Sequence, residues 1–189
     1  MSNELREDQI VLRGRLSYPK LFTPEAVKSE PDGKKRYGCR IMLPKEDEAT
    51  KAKIETIMRK LIKDKLKNVK PKGRDLCILD GDGEDGTPGE TDGYWLISAN
   101  RAEKQKRPTV IDSDKTPLAE GDARPYSGCW CQFLISLYVP GGWAKICASL
   151  EIVQFWKDDE PFGAPPADPG VMPDLDEDDE DDGEEGFGL

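Results

Sequence analysis

"YSGCWCQFLISLYV", residues 126–139, alternates along its whole length. Its odd positions are Ser127, Cys129, Cys131, Phe133, Ile135, Leu137 and Val139, an almost unbroken apolar row. Its even positions are Tyr126, Gly128, Trp130, Gln132, Leu134, Ser136 and Tyr138, a polar row with rings set into it. A period of two puts successive side chains on opposite faces of a strand, so the stretch predicts a β-strand with one face in a core and the other in water. "PGG" at 140–142 predicts a tight turn, and "WAKICASLEIVQFW", 143–156, predicts the antiparallel return strand. In that return, Ala144, Ile146, Ala148, Leu150 and Ile152 are expected to face the core, with Trp143, Lys145, Ser149 and Glu151 on the other side.

The same alternation recurs earlier in the chain. "QIVLRGRLS", 9–17, sets Arg13 and Arg15 against Leu12 and Leu16; "RYGCRIML", 36–43, sets Arg36 and Arg40 against Tyr37, Cys39, Ile41 and Leu43. "YWLISAN", 94–100, is a further strand with rings at its start, among them Tyr94, and "LCIL" (76–79) and "TVID" (109–112) are short candidates. One segment has the helical period instead: "KEDEATKAKIETIMRKLIKDKLKN", 45–68, aligns Ile54, Ile57, Met58, Leu61, Ile62 and Leu66 on one stripe. Acids at Glu46, Asp47 and Glu48 begin it and bases crowd its end, as the helix dipole favours. Its lysine-rich polar face fits either a solvated surface or contact with an anionic partner. The expected fold class is mainly β with one inserted α-helix, and an OB-fold-like antiparallel β-barrel fits the count.

Charge divides the chain. All 28 Lys and Arg lie in residues 1–157 beside 24 acids, a formal +4, whereas residues 158–189 carry 14 acids and no base. Residues 1–157 therefore read as one folded domain. Residues 158–173, including "PFGAPPADPGVMP", read as a Pro/Gly-rich linker, and residues 174–189, "DLDEDDEDDGEEGFGL", as a tail. Such a tail cannot bury enough apolar surface to offset its ordering entropy and is expected to be disordered. "MSNELREDQI" has no apolar signal core, and no apolar run approaches the roughly 20 residues that span a bilayer. The expected location is cytoplasmic, with no membrane partner.

Several chemistries are excluded. There is no histidine, so neither a histidine base nor a mixed Cys/His zinc site exists. The five cysteines, Cys39, Cys77, Cys129, Cys131 and Cys147, form no CxxC pair and read as small buried hydrophobes. "DGDGEDGTPGETDG", 80–93, alternates acids as a calcium loop does, but has Asp85 where that loop needs Gly and Thr91 where it needs Glu. No phosphate-cradling Gly-Lys-Ser/Thr loop is present. No cofactor, metal site or enzymatic activity is expected.

What remains is a set of bases and rings on outward strand positions: Arg13, Arg15, Arg36, Arg40, Tyr94, Trp130, Tyr138, Trp143 and Lys145. Rings offer planes for unpaired bases to stack on, and the cations beside them follow the phosphates, which is how single strands are held without reading sequence. Two loops add bases: "DGKKRY", 32–37, with Lys34 and Lys35, and "NRAEKQKRPTVID", 100–112, with Arg101, Lys104, Lys106 and Arg107. The other reading of each ring is packing beneath a helix or loop.

Five stretches, "YPKLFTP" (18–24), "LDGD" (79–82), "YWLISANRAEKQKRPTVID" (94–112), "YSGCW" (126–130) and "WKDDEPFG" (156–163), occur in the order that resembles a family of bacteriophage single-stranded DNA-binding proteins. The resemblance implies an OB-fold body binding single strands along the barrel, in the cytoplasm of an infected bacterial host. It also implies an acidic tail that meets replication or recombination proteins, here through Asp178, Asp179, Asp181, Asp182 and Phe187. In many such proteins the tail ends on its aromatic, whereas here Gly188 and Leu189 follow Phe187. RNA or duplex DNA would be weaker ligands, and oligomeric state is left open. The rival from another class is an acidic interaction protein, a DNA mimic or a chaperone of basic partners, but a mimic should be acidic on its folded body, and this body is basic.

Overall fold

The computed structural model describes residues 4–26, 33–163 and 168–172. Among the described residues, seven strands and one α-helix follow in the order β1 (Gln9–Ala26), β2 (Lys35–Pro44), α1 (Glu48–Lys65), β3 (Ile78–Asp80), β4 (Tyr94–Ala102), β5 (Thr109–Ile111), β6 (Trp130–Tyr138) and β7 (Cys147–Lys157). The predicted alternation in β6 holds: Cys131, Phe133, Ile135 and Leu137 are all but completely buried. On β1 the buried hydrophobic residues are Ile10, Leu12, Leu16 and Leu21, and on β2 they are Cys39, Ile41, Met42 and Leu43. Four of the cysteines are buried and none of the five is in a disulfide.

The return strand differs from its expected phase. It begins only at Cys147, so Ala144 lies exposed in the connecting loop. Pairing runs Leu134 with Ile152 and then Ile135 with Leu150, which leaves Glu151 as an extra residue. A one-residue bulge moves every later side chain to the opposite face. The core therefore receives Val153 and Phe155 rather than Ile152, and a second shift, from Cys131–Phe155 to Trp130–Lys157, leaves Trp156 as an extra residue facing outward.

The sheet order is β3-β4-β2-β1-β6-β7-β5, and an additional β4–β7 pairing closes β4, β2, β1, β6 and β7 into a five-stranded barrel. The closing contact, Ala99 with Ala148 and Asn100 with Ser149, is the parallel seam of the expected OB-fold-like antiparallel barrel. The cause is parity, since directions cannot alternate all the way around a ring of five. β5 also pairs with β7 in parallel, while β3 extends β4 antiparallel.

Within the predicted helical segment, the helix proper starts after Asp47, whose side chain accepts the Thr50 backbone N–H at 3.1 Å. It ends where Lys67 and Asn68 take positive φ angles of 47° and 67°. Ile54 is buried, and Ile57, Met58, Leu61 and Ile62 pack partly buried against the barrel core. No helix among the described residues is long and apolar enough to cross a membrane.

Phe133 is fully buried at the centre of this core. Phe133→Ala is expected to destabilise the protein by about 3–5 kcal/mol, read as a lower urea midpoint at unchanged slope.

Candidate nucleic-acid interface

Two adjoining hollows form one trough over β2 and β4. The larger, about 650 Å³, is lined by Lys34, Lys35 and Arg36 on one rim, by Lys104 and Gln105 from the turn after β4 on the other, and by Tyr138 and Ser149 at its end. The smaller, about 330 Å³, continues past Gly38 to Arg40, Lys20 and Tyr18. Arg36 and Asn100 belong to both. Asn100 lies across the middle because β2 carries no side chain opposite it: a Cβ on Gly38 would stand 2.3 Å from Asn100 Oδ1 and 2.8 Å from the Ala99 carbonyl oxygen. Farther along, the Arg40 guanidinium lies 5.4 Å from the centre of the Tyr18 ring.

The floor holds an ion pair. Arg101 was expected in a loop but lies in β4, because that strand runs on to Ala102 in register with Arg36. Its Nη1 donates to Glu151 Oε2 at 2.8 Å and to the Leu150 carbonyl at 3.3 Å, while its buried Nε has no hydrogen-bond partner. The Ser136 hydroxyl donates to the other Glu151 oxygen at 2.8 Å. Burial alone would raise the Glu151 pKa, but the Ser136 hydroxyl and the Arg101 guanidinium together outweigh it and hold the carboxyl below its ordinary range.

The predicted residues thus separate into groups. Lys34, Lys35, Arg36, Arg40, Arg101, Lys104 and Tyr138 meet in the trough. Lys106 and Arg107 are exposed in the β4–β5 connection, with the Arg107 guanidinium 5.5 Å from the Phe22 ring. Trp143 and Lys145 stand in the β6–β7 loop beside the C-terminal end of α1, Trp143 being 65% exposed and Lys145 ion-paired with Asp75 at 3.6 Å. Tyr94, half-buried, pairs with Pro44 at the opposite end of β4 from the trough.

Arg13, Arg15 and Trp130 are not in the trough: they lie where β1 pairs with the start of β6. Arg13 Nε donates to Gln132 at 3.2 Å. Arg15 donates to the Gly128 and Glu160 carbonyls at 3.0 and 2.8 Å, ion-pairs with Asp159 at 3.6 Å and stacks over Phe162 at 4.2 Å. Trp130 Nε1 donates to Asp159 at 2.7 Å, and the Tyr126 hydroxyl donates to Asp158 at 2.8 Å. Residues 158–162, read from the sequence as linker, form a strap over the barrel, and Gly128 (φ +108°) makes room for it: a Cβ there would be 2.4 Å from the Glu160 oxygen. The tail residues Asp178, Asp179, Asp181, Asp182 and Phe187 lie outside the described residues.

Tyr18 and Asn100 were missed among the candidates. Asn100 was legible as an outward position alternating with Ile97 and Ala99, whereas Tyr18 (φ +47°) sits at a register shift of β1 that no periodicity announces. Among the described residues, no cluster of three or more Cys, Asp or Glu is placed to hold a metal.

Residues 8–183 match the family model for the single-stranded DNA-binding protein of Enterobacter phage Enc34. The chain belongs to this family. It is a family of binding proteins rather than enzymes, in agreement with the sequence reading. A curated relative, putative protein p50 of Acyrthosiphon pisum secondary endosymbiont phage 1, is 30% identical over 158 residues, covering 78% of this chain and 82% of the relative. Among solved structures, the single-stranded DNA-binding protein from bacteriophage Enc34 in complex with ssDNA matches at TM-score 0.72 and 30% identity, covering 84% of this chain and 91% of that one. Its C-terminal truncation matches at TM-score 0.72 over 83% and 90%. Bacteriophage T7 gp2.5, a single-stranded DNA-binding protein, matches at TM-score 0.56 and 16% identity over 80% and 93%, a likeness of fold. Fold and family therefore agree with the resemblance read from the five motifs.

The lowered Glu151 pKa has a definite sign: the ionised pair stabilises the fold above the unfolded-state pKa, and that contribution disappears as pH falls through the lower folded value. Glu151→Gln, which leaves Arg101 without its counter-ion, is expected to cost about 1–3 kcal/mol near neutral pH. The difference from the parent should shrink as pH falls through and below the usual carboxylate range, measured by urea unfolding over a pH series descending from about pH 7.

Proposed function

We propose that this protein binds single-stranded DNA in the β2–β4 trough and coats unpaired strands, without catalysis and with little dependence on sequence. The observation that carries the reading is the trough itself: more bases than acids along it, since Lys34, Lys35, Arg36, Arg40, Arg101, Lys104 and Lys20 stand against Glu103 and Glu25, with a tyrosine toward each end, in a chain of this family. Cations spaced along a channel neutralise successive phosphates, while Tyr138 and Tyr18 offer stacking planes that accept any base. Asn100, with an amide that donates and accepts, is the group best placed to touch a base edge or sugar. A basic trough on a body of formal charge +4 does not fit a mimic of DNA. The reported complex of the 30%-identical Enc34 protein with ssDNA supports the same ligand here.

The setting proposed is phage DNA replication, recombination or repair in the cytoplasm of the infected bacterium, where exposed single strands need protection. The tail, opposite in sign to the body, competes with DNA for the basic trough; when DNA displaces it, the acids around Phe187 become available to replication or recombination proteins.

Gel shifts with single-stranded DNA, duplex and RNA at two salt concentrations test the ligand. Single strands should bind best and weaken steeply with salt, and Arg40→Ala or Lys104→Ala should each reduce the log–log salt slope by about 0.7. Equal affinity for duplex, or a flat salt response, would refute the reading. Deleting residues 174–189 is expected to tighten binding to single strands at low salt, and unchanged affinity would remove the competitive role of the tail.

A further inference from the structure

A second aromatic and cationic surface lies at the far end of β6. Trp130 and Tyr138 stand on the same outward row eight residues apart, so this surface is about 26 Å along the strand from the trough end. Here Trp156 is 40% exposed, with the Arg13 guanidinium 4.5 Å and the Lys157 ammonium 4.6 Å from its ring centre. Trp130 meets it edge-on, with centroids 6.1 Å apart and planes at 85°. Between Arg13 and Trp156 is a hollow of about 180 Å³ floored by Gln132 and Gln154, whose amides are joined by a 3.3 Å hydrogen bond.

We propose that this surface binds a second stretch of the single strand whose first stretch lies in the trough, with a base stacked on Trp156 and the flanking phosphates on Arg13 and Lys157. The proposal rests on the trough reading and extends it. The chemistry favours a polyanion with planar apolar groups. An exposed indole flanked by two cations repels cationic partners and would force an apolar partner to desolvate both charges, whereas a nucleotide supplies a ring for the indole and an anion for each cation. The nearby acids are mostly engaged elsewhere: Asp159 is bonded to Trp130, paired with Arg15 and only in longer-range attraction with Lys157, Asp158 accepts from Tyr126, and Asp112 faces Arg124 at 3.4 Å. The edge-on contact with Trp130 and the two cations fix the Trp156 ring, so little side-chain entropy is lost on stacking.

The test compares oligothymidylates of about 8 and about 35 nucleotides, the shorter within the range one such fold covers, on full-length protein by fluorescence anisotropy. The double variant R13A/W156A should bind the short strand as the parent does and the long strand roughly 5- to 150-fold more weakly. W156F should recover much of that loss when compared with W156A. A 5-iodouracil-substituted long strand should photocrosslink to the peptide containing Trp156 in the parent protein. Undiminished affinity of a folded double variant for the long strand, an equal loss on both strands, or no crosslink at Trp156 overturns the second site. If the double variant does not fold, the crosslink alone decides. Failure of the parent to bind even the short strand overturns the trough reading, and this proposal with it.

Discussion

The parallel contact of β4 with β7 is the constraint on which the rest of the molecule depends. A ring of five strands cannot alternate direction throughout, so one seam must run parallel, and it falls at Ala99–Ala148 and Asn100–Ser149. Both alanines are buried, and their small side chains let the two strands approach inside the barrel. On the outside, the same seam brings Asn100 and Arg101 of β4 beside Ser149 and Glu151 of β7 and the end of β6 at Tyr138. The trough is the outer face of the closure, and its residues come from elements far apart in the chain.

The bulge at Glu151 is the second determinant. The extra residue supplies a carboxylate to Arg101 and Ser136, and the phase change it causes sends Val153 and Phe155 inward; a second register shift, between Trp130 and Cys131, leaves Trp156 as an extra residue on the outside. Two local irregularities of β7 therefore set, respectively, the electrostatic floor of the trough and the aromatic surface at the far end of β6. A half-buried pair of this kind contributes modestly to stability, because desolvation offsets much of the attraction; what it supplies is a fixed geometry. Arg101 is consequently a fixed part of the trough floor rather than a loose cation, unlike Lys104 in the turn beyond it.

Much of this was legible before the fold was known. The alternation in 126–139 and 9–17 located the core rows of β6 and β1, because each of those rows is regular over the residues that face the core. The stripe from Ile54 to Ile62 located the helix, and the acids near Asp47 located its start. Regularity also misled: the period-two reading of 143–156 assumed one phase throughout and so assigned Ile152 to the core and overlooked Trp156. The same assumption gathered Arg13, Arg15 and Trp130 with Arg36 and Tyr138 as one face, although all are outward in their own strands and the barrel separates them.

The sequence by itself determined which residues face in and which face out along each regular strand, where the helix lies, and how charge divides between body and tail. These are properties of neighbours in the chain, set by periods of 2 and 3.6 residues and by composition. Only the tertiary structure decided which outward residues share a surface, because that depends on barrel closure and on strand register, with the bulges that shift it. It likewise decided that Arg15 is held by the strap of residues 158–162, a contact between segments more than a hundred residues apart that local periodicity cannot encode.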